Sequence, residues 1–142
     1  MPDKLFLDTN ILVYLSDEES IFHKEVLKQF ETLQRKYELW ISRQVLREYA
    51  VVITRASVSE FLTDDLLDDL NKWGSFFHVA DETEEVTEAL KKLIKKYELK
   101  GKRIHDANIV ATMIVNDISL ICTVNENDFE KIEEISLLRI EH

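Results

Sequence analysis

Polar side chains that could bind a metal ion follow the ends of two apolar runs in the sequence. The first run, 5–7, ends at Asp8, and the second, 120–124, is followed by Asn125 and Asp128. Short apolar runs bounded in this way are typical of buried strands, and open α/β sheets bind ligands at the carboxyl ends of their strands. Acids brought to one such edge could bind Mg²⁺ or Mn²⁺, which prefer hard oxygen ligands. The chemistry expected of such a site is metal-assisted hydrolysis of a phosphodiester.

Two further acids occur where a carboxylate is less expected. Asp106 opens the segment 106–115, which is almost wholly apolar at helical length, so we predict a buried helix there. A carboxylate facing an apolar layer costs on the order of several kcal/mol unless it is paired, hydrogen-bonded or bound to metal. Glu48 lies at the margin of the apolar stripe of another predicted helix. These two residues therefore join Asp8 and Asp128 as candidate catalytic and metal-binding residues.

Each of these polar residues also has a purely structural interpretation. Asp106 could be a helix N-cap, the pair Asn125 and Asp128 could cap a short helix, and one of residues 9–10 could cap the first helix. Glu48 could be an ordinary solvated acid. Each alternative is reasonable singly, but together they require two acidic motifs to follow two strands by coincidence.

The elements that must position these residues alternate along the chain. We predict strands at 5–7, 39–41, 76–79, 120–124 and 137–140. We predict regular helices at 10–15, 22–37, 86–97 and 106–115. A further helix should begin after an N-cap at Ser42 and extend to Ile53, and an acidic helical segment should run from Phe61 and Leu62 to Gly74. A short last helix is expected around Phe129 and Ile132. Alternation of this kind implies parallel pairing and right-handed crossovers. The expected fold is therefore a three-layer α/β fold, with a central, mostly parallel sheet of about five strands flanked by helices, in a single domain spanning 1–142.

Composition excludes several other classes of site. The chain has 18 Lys and Arg against 28 Asp and Glu, a formal net charge of −10, so it repels nucleic acid unless basic residues or bound cations act locally. Its two glycines are too few for a phosphate-binding glycine loop or a dinucleotide fingerprint. The single cysteine, Cys122, lies in an apolar run, which indicates a core residue and a reducing compartment. With no membrane-length apolar stretch, we expect a cytoplasmic protein.

Four segments of the chain together resemble the signature segments of PIN-domain ribonucleases. They are Phe6–Leu12, Ile41–Glu48, Ile104–Ala107 and Thr123–Phe129. Each segment alone is a weak signal, whereas four in order at suitable spacing are fairly specific. The resemblance extends from residue 4 to about residue 140 and is closest to the toxin of VapBC-type toxin–antitoxin pairs.

The resemblance implies a Mg²⁺- or Mn²⁺-dependent endoribonuclease that cuts single-stranded RNA. Matched residue by residue, the metal-ligating acids would be Asp8, Glu48, Asp106 and Asp128, and the supporting residues Thr9, Asn10, Thr123 and Asn125. Many relatives carry Asp at the position of Asn125, which puts a second metal ion in doubt rather than the activity. The resemblance also implies a small, basic antitoxin that blocks the site, and a homodimer.

Several nearby residues permit more than one interpretation. His105 resembles the histidine of a His-Asp pair in the family, but a structural role is the more common one for such a residue. The basic residues close to the acids could contact backbone phosphates or could be ordinary solvated charges: Arg43, Arg47, Lys100, Lys102 and Arg103.

Two other functional classes stay open on the residues alone. An aspartyl-phosphate phosphatase or a phospho-accepting receiver domain would also place acids at strand ends, although Asn10 stands where the phosphatase pattern expects a second Asp. A non-catalytic interaction module would use the acidic segments 64–69 and 81–85 to bind a basic partner.

Overall fold

A five-stranded parallel sheet forms the centre of the molecule. The computed structural model describes residues 2–56 and 63–140. Its strands are β1 (Asp3–Leu7), β2 (Tyr37–Ser42), β3 (His78–Ala80), β4 (Leu120–Thr123) and β5 (Ser136–Arg139). They lie in the order β3-β2-β1-β4-β5, and all four neighbouring pairs are parallel. The predicted α/β fold with about five strands is therefore confirmed.

Six helices in the described part of the chain connect the strands. They are α1 (Thr9–Ser16), α2 (His23–Lys36), α3 (Arg43–Ala56), α4 (Thr63–Phe76), α5 (Glu84–Tyr97) and α6 (Arg103–Val115), with a 3-10 turn at Glu126–Asp128. Helix α1 packs on α2 and α3, α3 packs on α4, and α5 packs on α6. Right-handed crossovers place the first four helices on one face of the sheet and the last two on the other. None of these helices is long and apolar enough to cross a membrane.

The central strand is apolar on both of its faces. Leu5, Phe6 and Leu7 are consecutive in β1 and are completely buried. A strand that is covered by helices on both faces buries successive side chains, so its sequence is a continuous apolar run rather than an alternation. In β4, Ile121 and Cys122 are also fully buried, which confirms the prediction that Cys122 is a core residue.

The sheet order changes direction between β1 and β4. From β1 the chain passes to β2 and β3 on one side, and it then returns to form β4 and β5 on the other side. Helices that leave neighbouring strands in opposite directions open a crevice at the carboxyl ends of those strands. Asp8, a predicted ligand, directly follows β1, and Asn125, a predicted supporting residue, closely follows β4, so both lie at this crevice.

Two predictions around α4 and β3 were wrong. Helix α4 continues past Gly74 to Phe76, because Gly74 lacks the left-handed backbone with which glycine ends helices. The Phe77 amide donates to Trp73 O over 3.1 Å, and the two rings stack with centroids 5.6 Å apart. The strand predicted at 76–79 therefore begins only at His78. The predicted helical residues Phe61 and Leu62 lie outside the described residues.

Other element boundaries also differ from the predictions. Helix α2 ends at Lys36, and Tyr37 opens β2 by pairing with Asp3 of β1. Helix α6 begins at Arg103, so Asp106 lies in its first turn instead of opening it. The short helix predicted around Phe129 and Ile132 is the 3-10 turn that precedes them, and both side chains are buried in the core.

Candidate active site

Asp8 lies at the point where β1 ends and α1 begins. Its amide donates to Cys122 O of the neighbouring strand over 3.1 Å, which continues the pairing of β1 with β4. Its carboxylate caps α1 by accepting from the Thr9 amide at 2.8 Å, and it also accepts from the Thr123 hydroxyl at 2.9 Å. Only 7% of the residue is exposed. Asp8 is therefore the N-cap of α1, a role that the sequence had suggested for Thr9 or Asn10.

Asn10 and Thr123 form a polar layer around the Asp8 carboxylate. Asn10 Nδ2 lies 3.4 Å from Asp8 Oδ2 and 3.3 Å from Thr123 Oγ1, and Asn10 Oδ1 accepts from the Val124 amide at 3.4 Å. The backbone amide of Asn125 donates to Thr123 Oγ1 over 3.0 Å. These bonds join the start of α1 to the end of β4 and orient the Asp8 carboxylate.

Glu48 lies on α3 with both carboxylate oxygens engaged. Oε1 accepts from Gln44 Nε2 at 2.7 Å, and Oε2 accepts from the Thr9 hydroxyl at 3.2 Å. Helix α3 itself begins as predicted, because the Val45 amide donates to Ser42 Oγ over 3.2 Å. Glu48 is half-buried and held from two elements, so it is not an ordinary solvated acid.

Asp106 is a half-buried acid whose carboxylate lacks a partner among the described residues. Its carboxylate has no hydrogen bond or ion pair within residues 2–56 and 63–140, although the residue is half-buried. It does not cap α6, because the N-cap position belongs to Lys102, which makes no side-chain capping bond. Burial raises the pKa of Asp106 to about 7, with the negative charges of Asp128, Asp8 and Glu48 adding to the increase and Lys102 opposing it.

The same electrostatic conflict acts on Asp8. Burial raises its pKa to about 6, while the hydrogen bonds from Thr123 and Thr9 lower it and the charges of Glu48 and Asp128 raise it further. Glu48 and Asp128 therefore act electrostatically on both Asp8 and Asp106. Within the described ranges none of the four forms a salt bridge with Lys, Arg or His.

All four acids line one groove of about 500 Å³. Thr9, Asn10 and Asn125 also line it, whereas Thr123 supports it from behind. The side chain of Asn125 makes no capping bond to the 3-10 turn, so the predicted capping pair with Asp128 is not formed. The groove therefore brings together the acids that the sequence had placed on four separate segments.

The groove has an apolar wall that the sequence reasoning missed. Val13 and Tyr14 of α1 and Val51 and Val52 of α3 line the groove. Val51 is 46% exposed and Val52 is 38% exposed, so both valines present apolar surface to the groove. Val51 lies off the apolar stripe of α3 and Val52 lies at its margin beside Glu48, so this widening of the stripe is the signal that could have revealed the wall.

A family model for the PIN domain matches residues 5–135. The chain belongs to the PIN domain family. No curated protein matches the sequence significantly.

Solved structures share this fold over nearly the whole chain. A chain of the VapBC2 complex from Rickettsia felis, solved with a DNA fragment from its promoter, has a TM-score of 0.72 and 19% identity, and the match covers 97% of this chain and 99% of that one. A toxin–antitoxin complex from Klebsiella pneumoniae has a TM-score of 0.67 and 22% identity, with coverage of 93% and 95%. Mycobacterium tuberculosis VapC20, described as a toxin that cleaves the sarcin-ricin loop, has a TM-score of 0.67 and 15% identity, with coverage of 82% and 86%.

The donor set of this PIN domain fits a divalent cation in kind. Carboxylate oxygens are the ligands that Mg²⁺ and Mn²⁺ prefer, and the mutual repulsion of these acids is what a bound cation relieves. Among the described residues, however, no three acidic, histidine or cysteine side chains already stand close enough to enclose an ion. Binding of an ion would therefore need the carboxylates to move closer together than they stand in this structure.

The histidine and the arginines that the sequence placed near the acids differ in how they relate to the groove. His105 is exposed, and its backbone carbonyl rather than its ring takes part in the site, by accepting from Gln44. Arg43 pairs with Asp81 at 3.0 Å and Arg47 with Glu82 at 3.5 Å. Of these two arginines only Arg47 lines the groove, which makes it the better placed to contact a phosphate.

Proposed function

We propose that this PIN domain is a divalent-metal-dependent endoribonuclease that hydrolyses phosphodiester bonds of single-stranded RNA. The observation that carries the proposal is the convergence of Asp8, Glu48, Asp106 and Asp128 on one groove without a basic residue paired to any of them in the described chain. The family match favours a nuclease over the aspartyl-phosphate alternatives.

In this proposal the four acids hold Mg²⁺ or Mn²⁺, and the other polar residues orient them. When bound, the ion polarises the phosphodiester and activates water for attack. Thr123 and Thr9 fix the Asp8 carboxylate, and Thr9 also fixes Glu48. Asn10 orients Asp8 and Thr123. Asn125 supplies a neutral amide at the rim, so the donor set carries four negative charges rather than five.

The apolar wall supports a single-stranded substrate. A base that leaves the stack exposes its faces, and aromatic side chains bind such faces with about 1–3 kcal/mol per base. Tyr14 and the three valines offer such a surface beside the acids, within the same groove. A base in a duplex is stacked and paired, so it could not reach this wall. VapC20, which has the same fold, is described as a toxin that cleaves the sarcin-ricin loop, and this supports a cleavage activity for the groove.

The decisive experiment measures cleavage of a mixed-sequence RNA with Mg²⁺ or Mn²⁺. Wild-type protein should cut it, EDTA should stop the reaction, and Asp8→Asn and Asp106→Asn should each lower the rate by at least about a hundredfold. Asp117→Asn is the matched control, because Asp117 is exposed, lies outside the groove and has a φ of 58°, which Asn tolerates. Equal cutting by all four proteins would mean that the activity came from a contaminant.

We also propose that a small basic antitoxin binds this protein and blocks the groove. The net charge of −10 and the acidic groove both favour a cationic partner. The Klebsiella structure is a toxin–antitoxin complex and the Rickettsia structure is a VapBC complex, which supports the role of toxin. Co-expression with the product of a neighbouring small reading frame should yield a complex that does not cut RNA, whereas a mixture that cuts as fast as the free protein would contradict this part of the proposal.

A homodimer is the expected form of the free protein. The expectation rests on the resemblance to VapBC-type toxins. Light scattering across a range of protein concentrations measures the mass directly: twice the 16.7 kDa of one chain supports the dimer, and a single-chain mass at every concentration excludes it.

A further inference from the structure

A buried glutamine connects the two helices that carry Glu48 and Asp106. Gln44 lies on α3, one turn before Glu48, and only 1% of it is exposed. Its Nε2 donates to Glu48 Oε1 over 2.7 Å and to His105 O over 2.9 Å. Its Oε1 accepts from Asn108 Nδ2 at 2.8 Å. One amide therefore contacts Glu48 on one side and, on the other, the residues that flank Asp106 on α6.

These bonds define the orientation of the amide. A primary amide has two N–H donors, and both donors of Gln44 point to acceptors that cannot donate: a carboxylate and a backbone carbonyl. Asn108 supplies the donor that faces Oε1. A flipped amide would place Oε1 against two acceptors and would leave Nε2 facing an N–H group. In a buried site, such mismatches cost much more than they would in water.

We propose that Gln44 is a positioning residue that holds Glu48 toward Asp106 for binding of a divalent cation. The inference rests on the proposed metal-dependent function and adds a residue outside its ligand set. Gln44 does not itself reach the groove lining, so it acts through Glu48. Hydrogen-bond partners behind metal ligands typically change metal affinity or activity by about 10- to 100-fold when they are removed.

The first experiment compares Gln44→Met with Gln34→Met in calorimetric titrations with Mn²⁺ alone. Methionine keeps the length and flexibility of glutamine but cannot donate to Glu48. Gln34 is an exposed glutamine of α2, away from the groove, so its replacement controls for the substitution itself. Gln44→Met should weaken Mn²⁺ binding by about tenfold or more, whereas Gln34→Met should bind like the wild type. Equal affinity in a folded Gln44→Met protein would overturn the proposal.

A second variant tests the orientation of the amide while Gln44 stays in place. In Asn108→Asp the new carboxylate attracts Gln44 Nε2, which turns Oε1 toward Glu48. The positioning role predicts weaker Mn²⁺ binding, although the variant adds a negative charge near the site. If Gln44 only filled space, the added charge would strengthen Mn²⁺ binding, so the sign of the change decides between the two roles even if Gln44→Met fails to fold.

A third measurement needs no metal. In the metal-free protein, the side-chain amide protons of Gln44 should exchange with D₂O far more slowly than those of exposed Gln34, and Glu48→Ala should accelerate the exchange. Exchange of Gln44 as fast as that of Gln34 would overturn the positioning role. Absence of Mn²⁺ binding by the wild type would instead contradict the proposed function, while the exchange experiment would still report on the amide.

Discussion

Asp106 is the residue at which burial and charge conflict most. It is half-buried, it lies among three other acids, and its carboxylate accepts no hydrogen bond within the described residues. Burial of an unpaired carboxylate opposes folding, and an acid with a raised pKa in a groove is a candidate functional residue. Asp8 differs because its carboxylate caps α1 and accepts from Thr123, so it contributes to the fold as well as to the groove.

The raised pKa values predict how stability depends on pH in the metal-free protein. The folded protein binds protons at Asp8 and Asp106 more tightly than the unfolded chain, whose Asp pKa is about 3.9. The free energy of unfolding should therefore fall as the pH rises from about 4 through the folded values of about 6 and about 7. At pH 8 Asp106→Asn should melt a few degrees above the wild type, and at pH 4 the difference should vanish.

Thermal unfolding in EDTA, followed by circular dichroism at several pH values, checks this prediction. Asp117→Asn should follow the wild-type curve, because Asp117 is exposed and outside the groove. A large loss of melting temperature in Asp106→Asn at pH 8 would indicate that the carboxylate stabilises the fold.

Tyr14 is predicted to act in substrate binding rather than in chemistry. Its ring lies in the apolar wall and packs on Phe22 with centroids 5.0 Å apart. Tyr14→Ala should raise the KM for single-stranded RNA by about tenfold and leave kcat nearly unchanged, because one lost base–aromatic contact costs about 1–3 kcal/mol. Tyr14→Phe keeps the ring and should keep the wild-type KM. An equal fall of kcat in both variants would contradict a stacking role.

At the scale of elements, a buried tyrosine holds three helices together behind the groove. The hydroxyl of Tyr49 on α3 lies 2.8 Å from Ser16 Oγ at the end of α1 and 2.8 Å from Asp69 Oδ2 on α4. With its single proton, the phenol donates to the carboxylate and accepts from the serine. Burial raises the pKa of Tyr49 to about 12, so the phenol stays protonated. The network positions α1 and α3, whose side chains form the apolar wall.

Removal of this hydroxyl should destabilise the fold. Tyr49→Phe leaves Ser16 and Asp69 without their shared partner and should lower the free energy of unfolding by about 1–3 kcal/mol. Urea denaturation followed by tryptophan fluorescence measures the change. Tyr37→Phe is the matched control, because the Tyr37 hydroxyl has no hydrogen bond to the described residues; similar losses in both variants would show that the Tyr49 network contributes little.

At the scale of the whole molecule, the net charge of −10 governs which partners approach. It repels RNA at long range, and four acids in the groove add to that repulsion locally. Single-stranded RNA should therefore bind only when divalent cations neutralise the groove, and Na⁺ at equal ionic strength should not replace them. Fluorescence anisotropy of a labelled RNA, recorded before cleavage proceeds, tests this prediction. Tight binding in EDTA would show that basic residues, rather than bound metal, hold the substrate.

Local sequence patterns were sufficient to predict the parallel sheet and the strand-end position of Asp8. A strand that is buried on both faces has consecutive apolar residues, and a helix with one buried face has apolar residues spaced three or four apart. The same local reasoning failed at Phe76, because the aromatic pair Phe76 and Phe77 is compatible with the end of a helix as well as with a strand. It also failed at Gly74, because a glycine ends a helix only when its backbone turns left-handed.

The sequence by itself therefore determined the type of fold and the chemical character of the site, since apolar periodicity and the placement of acids are properties of neighbouring residues. Only the tertiary structure decided which residues support those acids. Gln44 bonds to Asn108 across 64 positions of the chain, and Tyr14 and Val51 line one groove because α1 packs on α3. Such contacts depend on how helices pack across the sheet, and nothing in either local segment specifies its distant partner.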